Sequence, residues 1–292
     1  MKRVQFERSL MPYWLLAPQI TIIGIFFLWP AAQAVYQSFL LEDAFGLSSQ
    51  FVWFRNYEDM VLSESWVYSA GYTIFFSAMV AFGSLAIALL LAVKANDVIH
   101  GASTYKTLLI WVYAVAPPVA GLIGNLLFNP LVGDIPEILA AIGWDFNRAK
   151  DGSDAIFMVT LISIWKQVSV NFIFLLAGLQ SIPKSVQEAA IVDCRSPEKR
   201  FWTITFPLLA PTTFFLMVIN ITYAFFDTFG IIDVTTRGGP GDATNTLVYK
   251  VYTDGFLGAD LGGSSAQSVV LLLMVLALTV FQFKYIERRV HY

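Results

Sequence analysis

Among the polar side chains inside two apolar runs of this 292-residue chain, seven fall into two spaced sets. Ser163, Gln167 and Asn171 follow one another at four-residue steps with Lys166 on the adjoining edge, while Asn220, Tyr223 and Asp227 follow at three and then four. On a helix each set shares one face. A lysine at the bilayer centre costs at least about 2.5–3.5 kcal/mol, so its place is a cavity or an ion pair. The seven supply a cation, amide donors and acceptors, and a carboxylate. That is an inventory for holding a polar solute, or for a lysine that only pairs with an acid or with buried carbonyls. It does not combine a nucleophile with a base. No HExxH, GxSxG or aspartate-rich cluster occurs, and His100 and His291 stand alone. Lys106-Thr107 imitates the end of a phosphate loop, but His100 and Tyr105 occupy the positions that need glycine. Catalytic residues and metal ligands are therefore not expected.

A second polar group, Gln180 to Arg200, separates two membrane-length apolar runs and closes on Ile204-Thr205-Phe206-Pro207. It reads as helix, turn, helix. Ser185 and Glu188 have capping-box spacing, and Ser196-Pro197-Glu198 starts a second helix. Val186, Ala189 and Ala190 are expected to pack against a partner groove, with Glu188 placed to meet a basic group. A rigid, charged projection of this kind is a docking surface.

The elements that hold these groups follow from composition. With 57% hydrophobic and 13% charged residues, the chain has too little charge for a soluble surface of this size. Six apolar runs approach the roughly 20 residues needed to span a bilayer: 13–36, 67–93, 107–128, 155–179, 208–229 and 265–284. The expected class is an all-α integral membrane protein with six transmembrane helices in a single domain over 1–292, the polar loop covering about 180–207. Lys and Arg concentrate on one side of these runs (Lys2, Arg3, Arg8; Lys94, Lys106; Lys184, Arg195, Lys199, Arg200; Lys284, Arg288, Arg289), against Arg55, Arg148, Lys150, Arg237 and Lys250 on the other. Positive residues stay cytoplasmic, which puts both termini and the 180–207 loop inside. The first run, with Ala32-Gln33-Ala34 behind it, imitates a cleaved signal peptide, but it exceeds the roughly 7–15 residues of a signal core and is expected to be retained. The opposite-side segments, 37–66, 131–154 and 230–264, carry turn signals and an acidic excess, and read as structured caps. In the third run Ala116, Ala120 and Gly124 recur at four-residue spacing beside Pro117-Pro118, which permits close helix approach or a break that frees carbonyls. Cys194 is the one cysteine, so no intramolecular disulfide forms.

Glu188-Ala189-Ala190, then Asp193, Ile204 and Pro207, resemble the EAA loop of binding-protein-dependent ABC importer permeases, and the spacing matches throughout. Two positions depart from the pattern. Cys194 stands for its glycine and Phe206 for its leucine. If position 194 required a left-handed backbone, a non-glycine residue there would cost about 1–2 kcal/mol. The stretches 223–229, 236–240 (Thr-Arg-Gly-Gly-Pro) and 266–270 (Ala-Gln-Ser-Val-Val) are similar to the carbohydrate-uptake branch of that family, and within it to the permeases of sn-glycerol-3-phosphate importers. The resemblance implies a type I ABC importer permease fold in the bacterial inner membrane. It further implies a coupling role for Glu188, Ala189, Ala190, Asp193, Cys194, Ile204 and Pro207. The implied partners are a second permease subunit, a cytoplasmic ATP-binding subunit dimer that carries ATP and Mg, and a periplasmic binding protein delivering glycerol 3-phosphate or glycerophosphodiesters. Membrane lipid surrounds the chain, nucleic acid has no part, and the chain itself holds no cofactor. A phosphate ester would find donors in Lys166, Gln167, Asn171 and Asn220. The alternatives are a permease for another carbohydrate-type solute, or an ATP-independent channel or secondary carrier.

Overall fold

The computed structural model describes residues 11–43, 48–97, 102–194 and 196–286. Lys2, Arg3, Arg8, Arg195, Arg288, Arg289, His100 and His291 lie outside the described residues. The chain divides into two compact units, Met1–Leu62 with Val251–Val270, and Ser63–Lys250 with Leu271–Tyr292.

In the first unit, helix α1 (Met11–Gln37) is apolar on every side and none of its most apolar window is buried within the chain. Trp14, Phe26 and Phe27 are each about two-thirds or more exposed. A helix hydrophobic all round belongs in lipid or against another protein. After it, strands β1 (Leu40–Glu42) and β2 (Ser49–Phe51) pair antiparallel, with Leu41 opposite Gln50. Helix α2 (Arg55–Leu62) is tied to this hairpin by Asn56, whose buried amide donates to the carbonyls of Ser38 and Leu40 at 2.9 and 2.8 Å. Gly262 completes the knot. A Cβ there would collide with the Leu40 carbonyl oxygen and meet the Asn56 amide nitrogen at 3.0 Å. Because the obstacle is backbone, Gly262→Ala is expected to destabilise this unit by about 1–3 kcal/mol. Protease sensitivity of the 40–62 segment would read that loss, and unchanged cleavage would refute it.

The second unit is built on two long helices, α3 (Glu64–Asp97) and α7 (Gly152–Ser181), the latter preceded by the short helix α6 (Asp134–Ala141). Small residues let them approach. Gly83 lies so near Ile164 that a Cβ would come within 2.7 Å of the isoleucine side chain, and Ala81, Ala88 and Ala92 are buried along the same helix. Asp151 starts α7 by accepting the Ser153 N–H at 2.8 Å. Asp154, almost fully buried, accepts from Trp144 Nε1 at 2.9 Å and from the Asn147 N–H at 2.6 Å.

The third run does not form one continuous helix. Helix α4 (Ala102–Ile110) runs into a 3-10 turn (Trp111–Ala114), and α5 (Pro117–Leu127) departs at 111° to Lys106–Ala114. The hinge residues Val115 and Ala116 are extended, as expected before proline. Bending strands carbonyls, and Ser169 of α7 answers them by donating to Leu109 O at 2.8 Å and Ile110 O at 3.2 Å. The small residues on α5 serve close packing. Gly124 leaves no room for a Cβ against Ile162, and Gly121 lies over the backbone of Ile231 in helix α11 (Phe229–Thr235). Among the described residues five helices are long and apolar enough to cross a membrane (Met11–Gln37, Glu64–Asn96, Gly152–Ser181, Ala210–Asp227, Leu261–Lys284), and the bent pair counted as one broken span makes six.

Candidate functional site

The polar loop folds as helix α8 (Lys184–Asp193), a turn, and the short helix α9 (Pro197–Arg200). Its first cap differs from the expected capping box. Pro183 is the capping residue, and its carbonyl accepts the N–H groups of Val186 and Gln187 at 3.0 and 3.2 Å. Ser185 thus falls inside the helix, because proline's fixed φ starts it two residues earlier. The second start agrees with expectation. Ser196 Oγ accepts from the Lys199 N–H at 3.5 Å and Pro197 opens the first turn.

Position 194 settles the question raised by the missing glycine. Cys194 has φ −134° and ψ 103°, an extended backbone any residue adopts, and its N–H closes α8 on Ala190 O at 3.1 Å. No left-handed penalty arises. We expect Cys194→Gly to leave transport within about twofold of the parent, since glycine adds only about 0.5–1 kcal/mol of backbone entropy cost. A large gain in ATP-coupled uptake would contradict the geometry.

Glu188, Ala189 and Asp193 are exposed, Ile204 is half-buried and Pro207 exposed. Ala190 is the exception. At 4% exposure it faces its own chain, against the segment returning through Phe201 and Ile204, and is not free to enter a partner's groove. One residue is a turn of about 100° on a helix, enough to separate an outward Ala189 from an inward Ala190. A concavity of about 360 Å³ opens between Ser185, Val186, Ala189, Asp193 and Ile204, with the buried Ala190 at its floor.

The buried polar groups separate into two sets. Gln167 Nε2 donates to Asn220 Oδ1 at 2.7 Å, joining α7 to helix α10 (Ala210–Thr222). Lys166 Nζ lies 6.0 Å from the centre of the Tyr223 ring, within cation–π range. Asp227 follows Tyr223 by four residues in the same helical segment and makes no ion pair to Lys166 inside 4.0 Å among the described residues. These five therefore form one cluster. In it, Asn220 Nδ2 and Tyr223 OH are buried donors with no hydrogen-bond partner among the described residues. Ser163 and Asn171 belong elsewhere. Ser163 Oγ bonds back to Val159 O at 2.8 Å, and Asn171 Nδ2 donates to Ser84 Oγ of α3 at 2.9 Å. Both are fully buried and serve helix packing. The backbone over Tyr223–Asp227 is π-helical, one of five such segments among the described residues.

Three residues that matter here were not singled out from sequence. Ser84 and Ser169 partner groups far away in the chain, which no local pattern reveals. Arg148 bonds Asn125 Oδ1 and reaches Thr235 O at 3.4 Å, tying the 131–154 cap to α5 and α11. Burial draws its guanidinium below the ordinary arginine range.

Residues 63–292 match the family described as binding-protein-dependent transport system inner membrane component. Over all 292 residues of both chains the sequence is 52% identical to the sn-glycerol-3-phosphate transport system permease protein UgpA of Brucella abortus, and 52% identical over the same span to its counterpart in Agrobacterium fabrum. The Yersinia pestis protein of that name is 49% identical over 290 residues, 99% of this chain and 98% of that one. In three dimensions the chain superposes on a subunit of a bacterial ABC transporter involved in the import of alginate, with TM-score 0.81, 20% identity and 96% of each chain covered. The six-run helical architecture read from sequence is accordingly that of an ABC importer permease.

Proposed function

This chain belongs to the family of binding-protein-dependent transport system inner membrane components, and we propose that it forms one half of a translocation pathway for sn-glycerol 3-phosphate or glycerophosphodiesters. The observation that carries the substrate is identity near one half, spread over the full length of both chains, to permeases of that name in several bacteria. The buried cluster supports it chemically. A phosphate ester brings acceptor oxygens and negative charge, and Lys166, Asn220 Nδ2 and Tyr223 OH offer a cation and two unpaired donors. Asp227, exposed at the end of that cluster, suits a hydroxyl of the glycerol.

The chain works as a membrane subunit of the transport system, and the energy enters in trans. In this reading a second permease completes the pathway, and a dimer of ATP-binding subunits takes the face bearing Glu188, Ala189 and Asp193. Closure of that dimer on ATP moves α8, and the segment 194–207 passes the motion to α10 and its polar cluster. Both termini and α8 are then cytoplasmic, with the acidic caps toward the binding protein.

The test is uptake of labelled glycerol 3-phosphate into vesicles that hold this chain with its co-purifying partners. Uptake should require ATP and binding protein and fall severely in Glu188→Ala. Uptake by this chain alone without ATP would replace the importer reading with a channel or carrier.

A further inference from the structure

The ends of three spans enclose a cavity unrelated to the polar cluster. It has a volume of about 230 Å³ and lies between the last turn of α3, the last turn of α7, helix α8 and the segment leading into α10. Its lining is amphiphilic. Asn96, Gln187 and Arg200 supply polar surface, and Leu179, Phe201 and Leu208 among others supply apolar surface. Arg200 is the single charged residue in the lining among the described residues. Among the described residues no ion pair engages its guanidinium.

A free cation at the rim of a half-apolar cavity calls for an anion carrying hydrocarbon. The position agrees. Leu179 is two residues from the end of α7, and Asn96 closes the α3 span, so the cavity sits at the ends of two membrane-length helices. Trp202 next to Phe201 is 61% exposed, and its ring lies 5.1 Å from that of Phe206. Tryptophan at that depth marks a bilayer interface. Lys199 adds a second exposed cation. A soluble anion would use Arg200 but would leave the leucine and phenylalanine surface wet.

We propose that this cavity is a binding site for an anionic phospholipid, with its phosphate on Arg200 and the start of its acyl chains along Phe201 and Leu208. The site lies away from the polar cluster assigned to the transported substrate, and it takes the inward side of the coupling segment, where Ala190 and Ile204 line it. Each basic residue near an anionic lipid surface is worth about 1 kcal/mol, which corresponds to roughly fivefold in occupancy.

The experiment uses the whole transporter complex, purified from membranes with its partners, exchanged into a mixture of phosphatidylglycerol and phosphatidylethanolamine and then stripped with mild detergent. Native mass spectrometry counts the lipid retained. The parent complex should hold phosphatidylglycerol at least fivefold above its share of the mixture, and Arg200→Gln should abolish that enrichment while Arg200→Lys restores most of it. A photo-crosslinking residue placed at Phe201 in the otherwise unaltered chain should capture phosphatidylglycerol, so a poorly assembled Arg200→Gln leaves the question answerable. Absence of enrichment in the parent, equal retention in Arg200→Gln, or no lipid captured at position 201 would each overturn the proposal. Displacement of the captured lipid by millimolar inorganic phosphate would also overturn it, by assigning the site to a soluble anion.

Discussion

Tryptophan in place of Ala189 is expected to lower ATP-driven uptake about a hundredfold while leaving the amount of chain in the membrane unchanged. Ala189 is exposed on α8, four residues from Ser185 and four from Asp193, and these three share one outward face beside the concavity that Ile204 closes. An indole there adds bulk where a docking partner must approach, and central interface positions carry about 2–4 kcal/mol or more each. The neighbouring substitution separates docking from folding. Ala190 is buried against its own chain, so Ala190→Trp overfills an internal contact and should cost about 1–3 kcal/mol of stability, with less chain recovered in the membrane. The measurement is uptake per unit of inserted chain, together with the amount of ATP-binding subunit that co-purifies. If Ala189→Trp kept more than half of the uptake, α8 would not be the docking surface, and an ATP-independent pathway would become the better account.

That contrast also marks the boundary of what sequence can convey about such a loop. Two helices and the turn between them were legible, since Ser196-Pro197 and the alanines at 189 and 190 declare local conformation. Which alanine faces the chain was not legible, because α8 is mixed on every face and Ile204 decides the matter from outside the helix. Cys194 is a similar case. The likeness to a glycine motif raised the prospect of a left-handed turn, and only the backbone angles show an extended one. The spans were read well where apolar length alone determines them. In the third run Pro117-Pro118 offered a break beside the close-packing reading, but the partner of the freed carbonyls, Ser169, lies 60 residues away and was not legible. In the polar stripe of α7 the periodicity correctly put Ser163, Gln167 and Asn171 on one side. It could not divide them, since one side of a packed helix meets two neighbours, α3 through Asn171 and α10 through Gln167.

Lys166→Gln is expected to reduce glycerol 3-phosphate uptake about 30- to 100-fold, and the pattern across substrates identifies the reason. Lys166 is 9% exposed, lies over the Tyr223 ring and makes no ion pair within 4.0 Å among the described residues, so its charge is available to a solute. Truncating one member of a buried, hydrogen-bonded charge pair costs about 2–5 kcal/mol. The lower end of that range matches the expected loss, at about 1.4 kcal/mol per factor of ten. A phosphate monoester carries close to two negative charges at neutral pH, as phosphorylated side chains do, whereas a glycerophosphodiester carries one. A lysine that contacts phosphate must therefore favour the monoester, and its loss must penalise the monoester more. A lysine that only braces Tyr223 and the carbonyls around it would, when removed, depress both substrates alike. Tyr223→Phe serves as the companion, because it keeps the ring under the ammonium and deletes only the unpaired hydroxyl. It should lower uptake of both substrates by a similar, smaller factor of about ten, the worth of one hydrogen bond to a charged group. Equal losses for monoester and diester in Lys166→Gln would assign Lys166 to packing and move phosphate recognition to the second permease.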